Sequence, residues 1–282
     1  RKTMIGVIGL GLIGGSLAKA LNQNTDYSVY GYDIDRSVLS KAKLVGAIED
    51  ELKEDLLREC DIVIVALYPS DTVDYVRSNA ENFKKGSIVI DCCGVKKPVC
   101  SILEPLAQKH GFIFIGGHPM AGLEHSGFEY SKKALFDKAS MVLVPPAGIG
   151  IKHLEKIKGL CSSIGFSNIQ ISTADEHDQM IAFTSQLAHI TSNAYIKSSA
   201  AIRHAGFSAG SYYDMTRVAK LNEKMWTELF INNPEYLSCE IQELIDHLNE
   251  YKNAIDSKDK EKLTALLKDG REKKEKIDNE FF

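Results

Sequence analysis

The sequence predicts an α/β domain built on a parallel sheet, followed by an all-helical domain. Three observations carry this. Short Val/Ile-rich runs alternate with amphipathic stretches through the first half of the chain, the pattern of a parallel sheet covered on both faces. A glycine-rich turn joins the first run to the first amphipathic stretch. From Thr173 onward the alternation stops, and long helical patterns replace it. The boundary is placed near residue 170, giving domains 1–170 and 171–282.

In chain order, TMIGVIG is the first strand, LIGGSLAKAL a helix and SVYGYD the second strand. VLSKAKLVG reads as helix and DIVIVAL as strand. A further helical stretch precedes the strand SIVIDC, the helix VCSILEPLAQKH and the strand FIFIGG. SMVLVPP, the helical GIKHLEKIKGLCSSIG and FSNIQIS complete the sheet pattern. TADE then offers a capping box, Thr173 as N-cap and Glu176 three residues on, which opens a helix. Helical patterns follow in EHDQMIAFTSQLAHITSNAYIKSSAAI, DMTRVAKL and EKMWTELFI. Asn233 before Pro234 marks another helix start, by the cap-then-proline rule.

The totals limit the function classes. The 282 residues suit one large domain or two moderate ones, and 44% hydrophobic residues with 26% charged allow a real core. A formal charge of -4 without a basic block in the first two hundred residues argues against a nucleic-acid face. The C-terminal KDKEKLTALLKDGREKKEKIDNEFF mixes both signs and reads as a solvated helix. The cysteines, Cys60, Cys92, Cys93, Cys100, Cys161 and Cys239, form no CxxC pair, so reduced thiols in a cytoplasmic protein are expected. No apolar run reaches membrane-spanning length, and the chain opens straight into a strand with no signal peptide ahead of it.

Gly9-Leu10-Gly11-Leu12-Ile13-Gly14 follows the first strand and opens the first helix, the setting of a Rossmann-type dinucleotide fingerprint. Gly9 permits the tight turn, Gly11 lets backbone approach a pyrophosphate, and Gly14 lets helix and strand pack closely. The pyrophosphate would rest on the helix N-terminus beside Leu12 and Ile13. Asp33, about 20 residues further on at the end of the second strand, is placed for the two hydroxyls of an adenosine ribose. A carboxylate there disfavours a 2′-phosphate, so NAD is expected rather than NADP. Arg36 is either a grip for such a phosphate or a solvated arginine at a helix start.

The reacting end lies in the loops after the strands. His118 is the first residue of the loop HPMAGLEHSG and is placed to hold a substrate hydroxyl and take its proton; a structural loop histidine is the plainer alternative. Glu124 and His125 share that loop, and Glu124 can pair with an arginine from elsewhere. After another strand come Asp91, Cys92, Cys93 and Gly94. Gly94 is expected to serve close approach to the nicotinamide, Lys96 and Lys97 to be solvated, and the adjacent cysteines to hold no metal. Gln186 and His189 can face one ligand together at i,i+3, or His189 can be a packing histidine. Asp214 and Arg217 are also three apart, so they can make an ion pair on one face. By itself Arg217 is either a surface charge or aimed at an anion. Trp226 is expected in the core.

GLGLIGGSLAKAL, GGHPMAGLEHSG and DMTRVAKLNEKMW occur in an order and at separations that resemble the prephenate dehydrogenase family, with arogenate dehydrogenase as its near relative. The resemblance spans most of the chain. It implies that His118 is the catalytic histidine acting on the ring hydroxyl. It implies that Arg217 binds a substrate carboxylate, and that Glu124 gates the pocket with Asp214 as partner. His189 would be the second histidine, in SQLAH where relatives are usually written S-H-L-P-H. The run D-x-G-S-x-K is here DCCGVK, with Gly94 where a serine is common; Gln186 and Ala188 also depart from the family pattern. The resemblance implies NAD-dependent oxidative decarboxylation of prephenate to 4-hydroxyphenylpyruvate in tyrosine biosynthesis. Arogenate is the alternative substrate, and a 3-hydroxyacid-type dehydrogenase is a remoter reading. It implies a homodimer through the C-terminal helices; that reaction needs no metal, the charge and apolar runs lead to no expected nucleic-acid or membrane partner, and the length leaves no room for a fused mutase or regulatory domain.

Overall fold

The computed structural model describes residues 2–123 and 125–281. The chain forms two compact units, Arg1–Asn233 and Pro234–Phe282. The first begins β1 (Met4–Ile8), α1 (Leu12–Asn24), β2 (Ser28–Tyr32), α2 (Arg36–Leu44), β3 (Asp50–Glu51) and α3 (Glu54–Leu57). It continues β4 (Ile62–Val65), α4 (Pro69–Ser78), β5 (Ile88–Asp91), α5 (Lys97–His110), β6 (Ile113–Met120), β7 (Ser140–Val144), α6 (Ile151–Ile164) and β8 (Asn168–Ile171). Each strand expected from a Val/Ile run is present. β3 is additional; two residues are too few to carry a pattern.

The sheet order is β3-β2-β1-β4-β5-β6-β7-β8. β4 and β5 are buried at every residue, as strands covered on both faces must be. The order reverses beside β1, so the crevice outside the carboxyl ends of β1 and β4 is the switch point at which such sheets take ligands.

The expectation of a wholly parallel sheet needs one correction. β7 runs antiparallel to β6, with His118 opposite Val142. Among the described residues the connection from Met120 to Ser140 holds two short 3-10 turns and no crossover helix, and a chain so connected returns antiparallel. β8 is again parallel to β7 because α6 supplies the crossover. A second correction follows: β6 does not end at Gly117. After its parallel pairing with β5, β7 carries it on to Met120, so His118 lies within a strand and does not begin a loop.

The sheet pattern ends at Ile171, and α7 (Ala174–Ile181) follows. Thr173 caps it by accepting from the Glu176 amide at 3.1 Å, while the Glu176 carboxylate accepts from Ser172 Oγ at 2.8 Å. Half of the expected capping box therefore forms. A π-turn (Ala182–Leu187) leads into α8 (Ala188–Tyr195), and α9 (Gly210–Thr216) and α10 (Glu223–Ile231) complete the unit.

DMTRVAKL is not one helix. α9 stops at Thr216, and residues 219–222 belong to neither helix nor strand. The reason lies on α8: Ser192 Oγ donates to the Met215 carbonyl at 2.7 Å, and Asn193 Nδ2 donates to that of Ala219 at 2.9 Å. Side chains thus take carbonyls that a continuing helix would use, and Asn222 caps α10 through the Met225 amide at 3.0 Å.

In the second unit α11 (Pro234–Asp256) and α12 (Lys260–Phe281) form a helical hairpin. Lys258 turns the corner at φ 54°, and Tyr251 Oη donates to the Leu266 carbonyl at 3.3 Å. α12 is laced by i,i+4 ion pairs such as Arg271–Glu275 at 2.7 Å and Lys273–Asp269 at 2.8 Å, the solvated mixed-charge helix its sequence predicts. Among the described residues no helix is long and apolar enough to cross a membrane.

Candidate active site

The glycine-rich turn has the geometry its spacing requires. Gly9 adopts φ 81°, and its amide donates to the Tyr32 carbonyl at 2.8 Å. A Cβ at Gly14 would fall 1.8 Å from the Gly9 carbonyl oxygen, so helix and turn touch backbone to backbone. A Cβ at Gly11, by contrast, would meet nothing within 4 Å. Gly11 is the N-cap of α1, and the first turn carries neither a side-chain cap nor an acid. Its amides, beside half-buried Leu12 and Ile13, are therefore free for an anion. Asp33 braces the turn by accepting from the Leu10 amide at 2.8 Å and the Asp35 amide at 2.9 Å. Arg36 is exposed and pairs with Glu51 at 2.5 Å, so its guanidinium is already partnered by a carboxylate. These residues fit a dinucleotide.

Beneath the reacting edge lies an ion pair. Asp91, at the end of β5, accepts from the Cys93 amide at 2.9 Å and the Gly117 amide at 3.0 Å. It also pairs with Lys96 Nζ, and both side chains are fully buried. The expectation that Lys96 is solvated is thus overturned, whereas Lys97 is exposed and pairs with Asp175 at 2.8 Å. Burial works to lower the Lys96 ammonium, but the Asp91 carboxylate outweighs it and the net shift is upward. The paired glycines before His118 make this possible. A Cβ at Gly116 would meet Cys100 Sγ at 2.8 Å and Lys96 Cδ at 3.1 Å, and one at Gly117 would meet the Asp91 carbonyl oxygen at 2.5 Å. Burial raises the thiols of Cys92 and Cys93, which keeps them protonated.

His118 is half-buried above this pair. Its Nδ1 lies 2.7 Å from Nε2 of His177, and His177 Nδ1 lies 2.7 Å from Asp178 Oδ1. Asp178 in turn accepts from the Lys96 amide at 2.7 Å and the Lys97 amide at 2.9 Å, at the N-terminus of α5. The other ring nitrogen, Nε2 of His118, faces Gly94: a Cβ there would lie 3.8 Å from it and 3.2 Å from Leu229 Cδ2. Burial, with His177 and Lys96 adding to it, holds His118 well below the ordinary histidine value. Burial also lowers His177, against the hydrogen bond to Asp178 that raises it.

The helical wall differs in several respects from the sequence reading. His189 Nδ1 donates to the Ser185 carbonyl at 2.7 Å. Its ring stacks on Trp226 at 4.1 Å, so half-buried Trp226 packs on this histidine rather than in the core. Burial lowers the pKa of His189, the Ser185 bond opposes this, and the nearby charge of Arg217 adds to the lowering. Arg217 itself is exposed. Among the described residues no ion pair joins it to Asp214, although Arg217 keeps helical φ and ψ just past the end of α9; both side chains are exposed to water, where such a pair gains little.

Gln186 does not face a ligand beside His189. It is 1% exposed, its Nε2 donates to the Leu229 carbonyl at 3.2 Å, and its Oε1 accepts from Asn233 Nδ2 at 2.9 Å. Glu124 lies outside the described residues. α10 links the two clusters, since Trp226 and Leu229 stand three apart on one helical face.

His177, Asp178, Asp91 and the buried state of Lys96 were missed by sequence reasoning. The available signal was EHDQ, a histidine and two acids in the first turns of a capped helix, and the acid-to-lysine spacing within DCCGVK.

Comparison with known proteins places these residues in context. The family model for prephenate dehydrogenase, nucleotide-binding domain, matches residues 17–169, and that for prephenate dehydrogenase, dimerization domain, matches residues 173–269. A prephenate dehydrogenase of Lactococcus lactis is 29% identical over 94% of this chain and 75% of its own. A cyclohexadienyl dehydrogenase of Zymomonas mobilis is 29% identical over 95% of this chain and 93% of its own. Among solved structures, prephenate dehydrogenase from A. aeolicus in complex with hydroxyphenyl propionate and NAD+ matches with TM-score 0.86 and 27% identity, covering 98% of this chain and 99% of the other. Synechocystis arogenate dehydrogenase matches with TM-score 0.81 and 25% identity, covering 98% and 100%.

Removing one partner of the Asp91–Lys96 pair strands a buried charge. Lys96→Met is expected to destabilise the fold by about 3–5 kcal/mol, measured as the shift in urea midpoint at constant slope. A midpoint unchanged from wild type would show that the pair contributes nothing to stability.

Proposed function

The chain belongs to the prephenate dehydrogenase family, and we propose that it oxidises and decarboxylates prephenate with NAD, giving 4-hydroxyphenylpyruvate and carbon dioxide, in tyrosine biosynthesis. The observation that carries this reading is His118. It is half-buried at the carboxyl edge of the sheet with Nδ1 engaged and Nε2 turned toward Gly94. Held by the Gly9–Gly14 turn and Asp33, NAD would supply the acceptor for the hydride on the ring carbon that bears the hydroxyl. His118 Nε2 holds the hydroxyl proton while the carbon–oxygen bond gains double-bond character, and returns it to the phenol oxygen of the product. Loss of the ring carboxylate as carbon dioxide leaves the ring aromatic, so the protein's share is orientation and charge placement.

Arg217 is exposed beside the stacked His189 and Trp226. We assign it to a substrate carboxylate, with His189 on the same wall. Exposed Asp214 belongs to the rim in this reading, and Gly94 leaves space beside His118. Gly9, Gly11, Leu12, Ile13, Gly14 and Asp33 form the NAD side, where Asp33 excludes a 2′-phosphate; Arg36 stays with Glu51. The division is functional as well: residues 1–170 bind the dinucleotide, and residues 171–282 contribute to substrate binding and dimerisation. Arogenate is the second reading, favoured by the likeness to an arogenate dehydrogenase. A reducing cytoplasmic setting suits the six free thiols.

The deciding assay follows reduced nicotinamide with prephenate and arogenate, each with NAD and NADP. Turnover is expected with prephenate and NAD, and none with prephenate under either cofactor would end the reading. Because burial holds His118 well below 6.5, its neutral form is complete at neutrality. The pH profile of kcat/KM should be flat above that value and fall only as the solution becomes more acid. An ascending limb centred near or above pH 7 would assign the base elsewhere.

Arg217→Lys keeps a charge but loses the two-pronged grip on a carboxylate. KM for prephenate should rise about ten-fold, with kcat less affected and NAD affinity unchanged. An unaltered KM would return Arg217 to the role of a surface charge.

The homodimer is tested by sedimentation at assay concentration. A mass of two chains is expected, together with its loss when the chain is cut back before α11. A monomeric full chain would contradict it.

A further inference from the structure

His177 and Asp178 lie behind His118, away from Gly94, and the reaction as written does not use them. With His177 kept neutral by burial, their hydrogen bonds admit one arrangement of protons. Asp178 already accepts from the Lys96 amide through Oδ1 and from the Lys97 amide through Oδ2. A carboxylate so engaged offers its neighbour only lone pairs. The 2.7 Å contact with His177 Nδ1 therefore requires a proton on that nitrogen. Burial keeps His177 neutral, so its Nε2 is bare and acts as an acceptor. The 2.7 Å contact with His118 Nδ1 then requires a proton on His118 Nδ1, and His118 Nε2 is left with the free lone pair. The reversed chain would set a bare His177 nitrogen against the carboxylate.

Nothing in this line can turn to evade the requirement. His177 is 3% exposed and Asp178 1%, and the backbone carbonyl of Asp178 accepts from Asn233 Nδ2 at 2.8 Å. The two imidazoles meet edge to face at 63° with centroids 5.0 Å apart. Gly94 offers His118 no side chain on its other flank.

We infer that His177 and Asp178 are positioning residues that fix the tautomer and ring plane of His118, so that its substrate-facing Nε2 is the proton acceptor. The inference rests on the proposed role of His118 in hydroxyl oxidation. The proton gained at Nε2 turns His118 into an imidazolium whose Nδ1–H is already aimed at an acceptor backed by a carboxylate, so no bond has to form at that moment.

The test uses the full chain with ¹⁵N-labelled histidine, read without substrate. Wild-type His118 should show a protonated Nδ1 and a bare Nε2. In His177→Phe the acceptor is gone; the tautomer preference should collapse and kcat should fall by about ten- to a hundred-fold. KM for prephenate and the NAD dissociation constant should stay within about two-fold, since neither ligand touches His177 in this scheme. His177→Gln places a carboxamide oxygen in reach of His118 Nδ1 and should restore both the spectrum and most of kcat. A bare Nδ1 on wild-type His118 would overturn the inference even if the Phe variant fails to fold. So would a Phe variant with wild-type kcat, or Gln and Phe variants equally slow with an unchanged His118 spectrum. An inactive wild type would overturn the functional reading, and with it the positioning role, whatever the spectrum.

Discussion

Asp178 joins segments of the first unit that lie far apart in sequence. Its carboxylate takes the two backbone amides that open α5, where an anion is stabilised by both the free N–H groups and the helix dipole. Its neighbour His177 reaches toward β6, and its own carbonyl is held by Asn233 just beyond α10. The sheet edge, the start of the helical segment and the end of α10 are thus pinned through one buried acid. Hydrogen bonds to a charged group are roughly twice as strong as neutral ones, and several converging on one immobile side chain set position as well as energy.

Asp91 does the equivalent at the end of β5. It binds the amides of Cys93 and Gly117 and the ammonium of Lys96. The loop after β5 and the strand beneath His118 therefore move as one piece. The charge of Lys96 also acts upward: it adds to burial in disfavouring a proton on His118 and on His177. A charge buried for structural reasons in this way helps keep the reacting edge in its basic form.

The features of this molecule that were legible are those whose causes are local. The turn from Gly9 to Gly14 is dictated by backbone clashes among neighbours in sequence, and Asp33 closes the next strand, so spacing alone places both. His118 was legible as an edge residue, although β7 makes it part of a longer strand than its own sequence suggests. The antiparallel return of β7 depends on a missing crossover, which a Val-rich run does not report. Lys96 reads as solvated because lysines usually are, whereas the bare backbone at Gly116 makes room for its stem and that at Gly117 lets β5 and β6 close on Asp91. α9 reads as continuing past Thr216 because the side chains that interrupt it sit on α8. Gln186 reads as a ligand contact because its actual partners, Leu229 and Asn233, lie more than forty residues away.

The π-turn from Ala182 to Leu187 is one residue longer than the α-helical path it replaces. An α-helix advances about 100° per residue, so an uninterrupted helix would set His177 and His189 about 120° apart around its axis. Absorbing one residue in the wider turn brings them to within about 20°, on a common stripe. The same arithmetic governs insertions and deletions. Removing one residue from this turn would let it relax to ordinary helix with both histidines still in phase, whereas a deletion elsewhere between them would swing one away from the other. Length variation in this helix is therefore tolerable at one place, and the turn marks it.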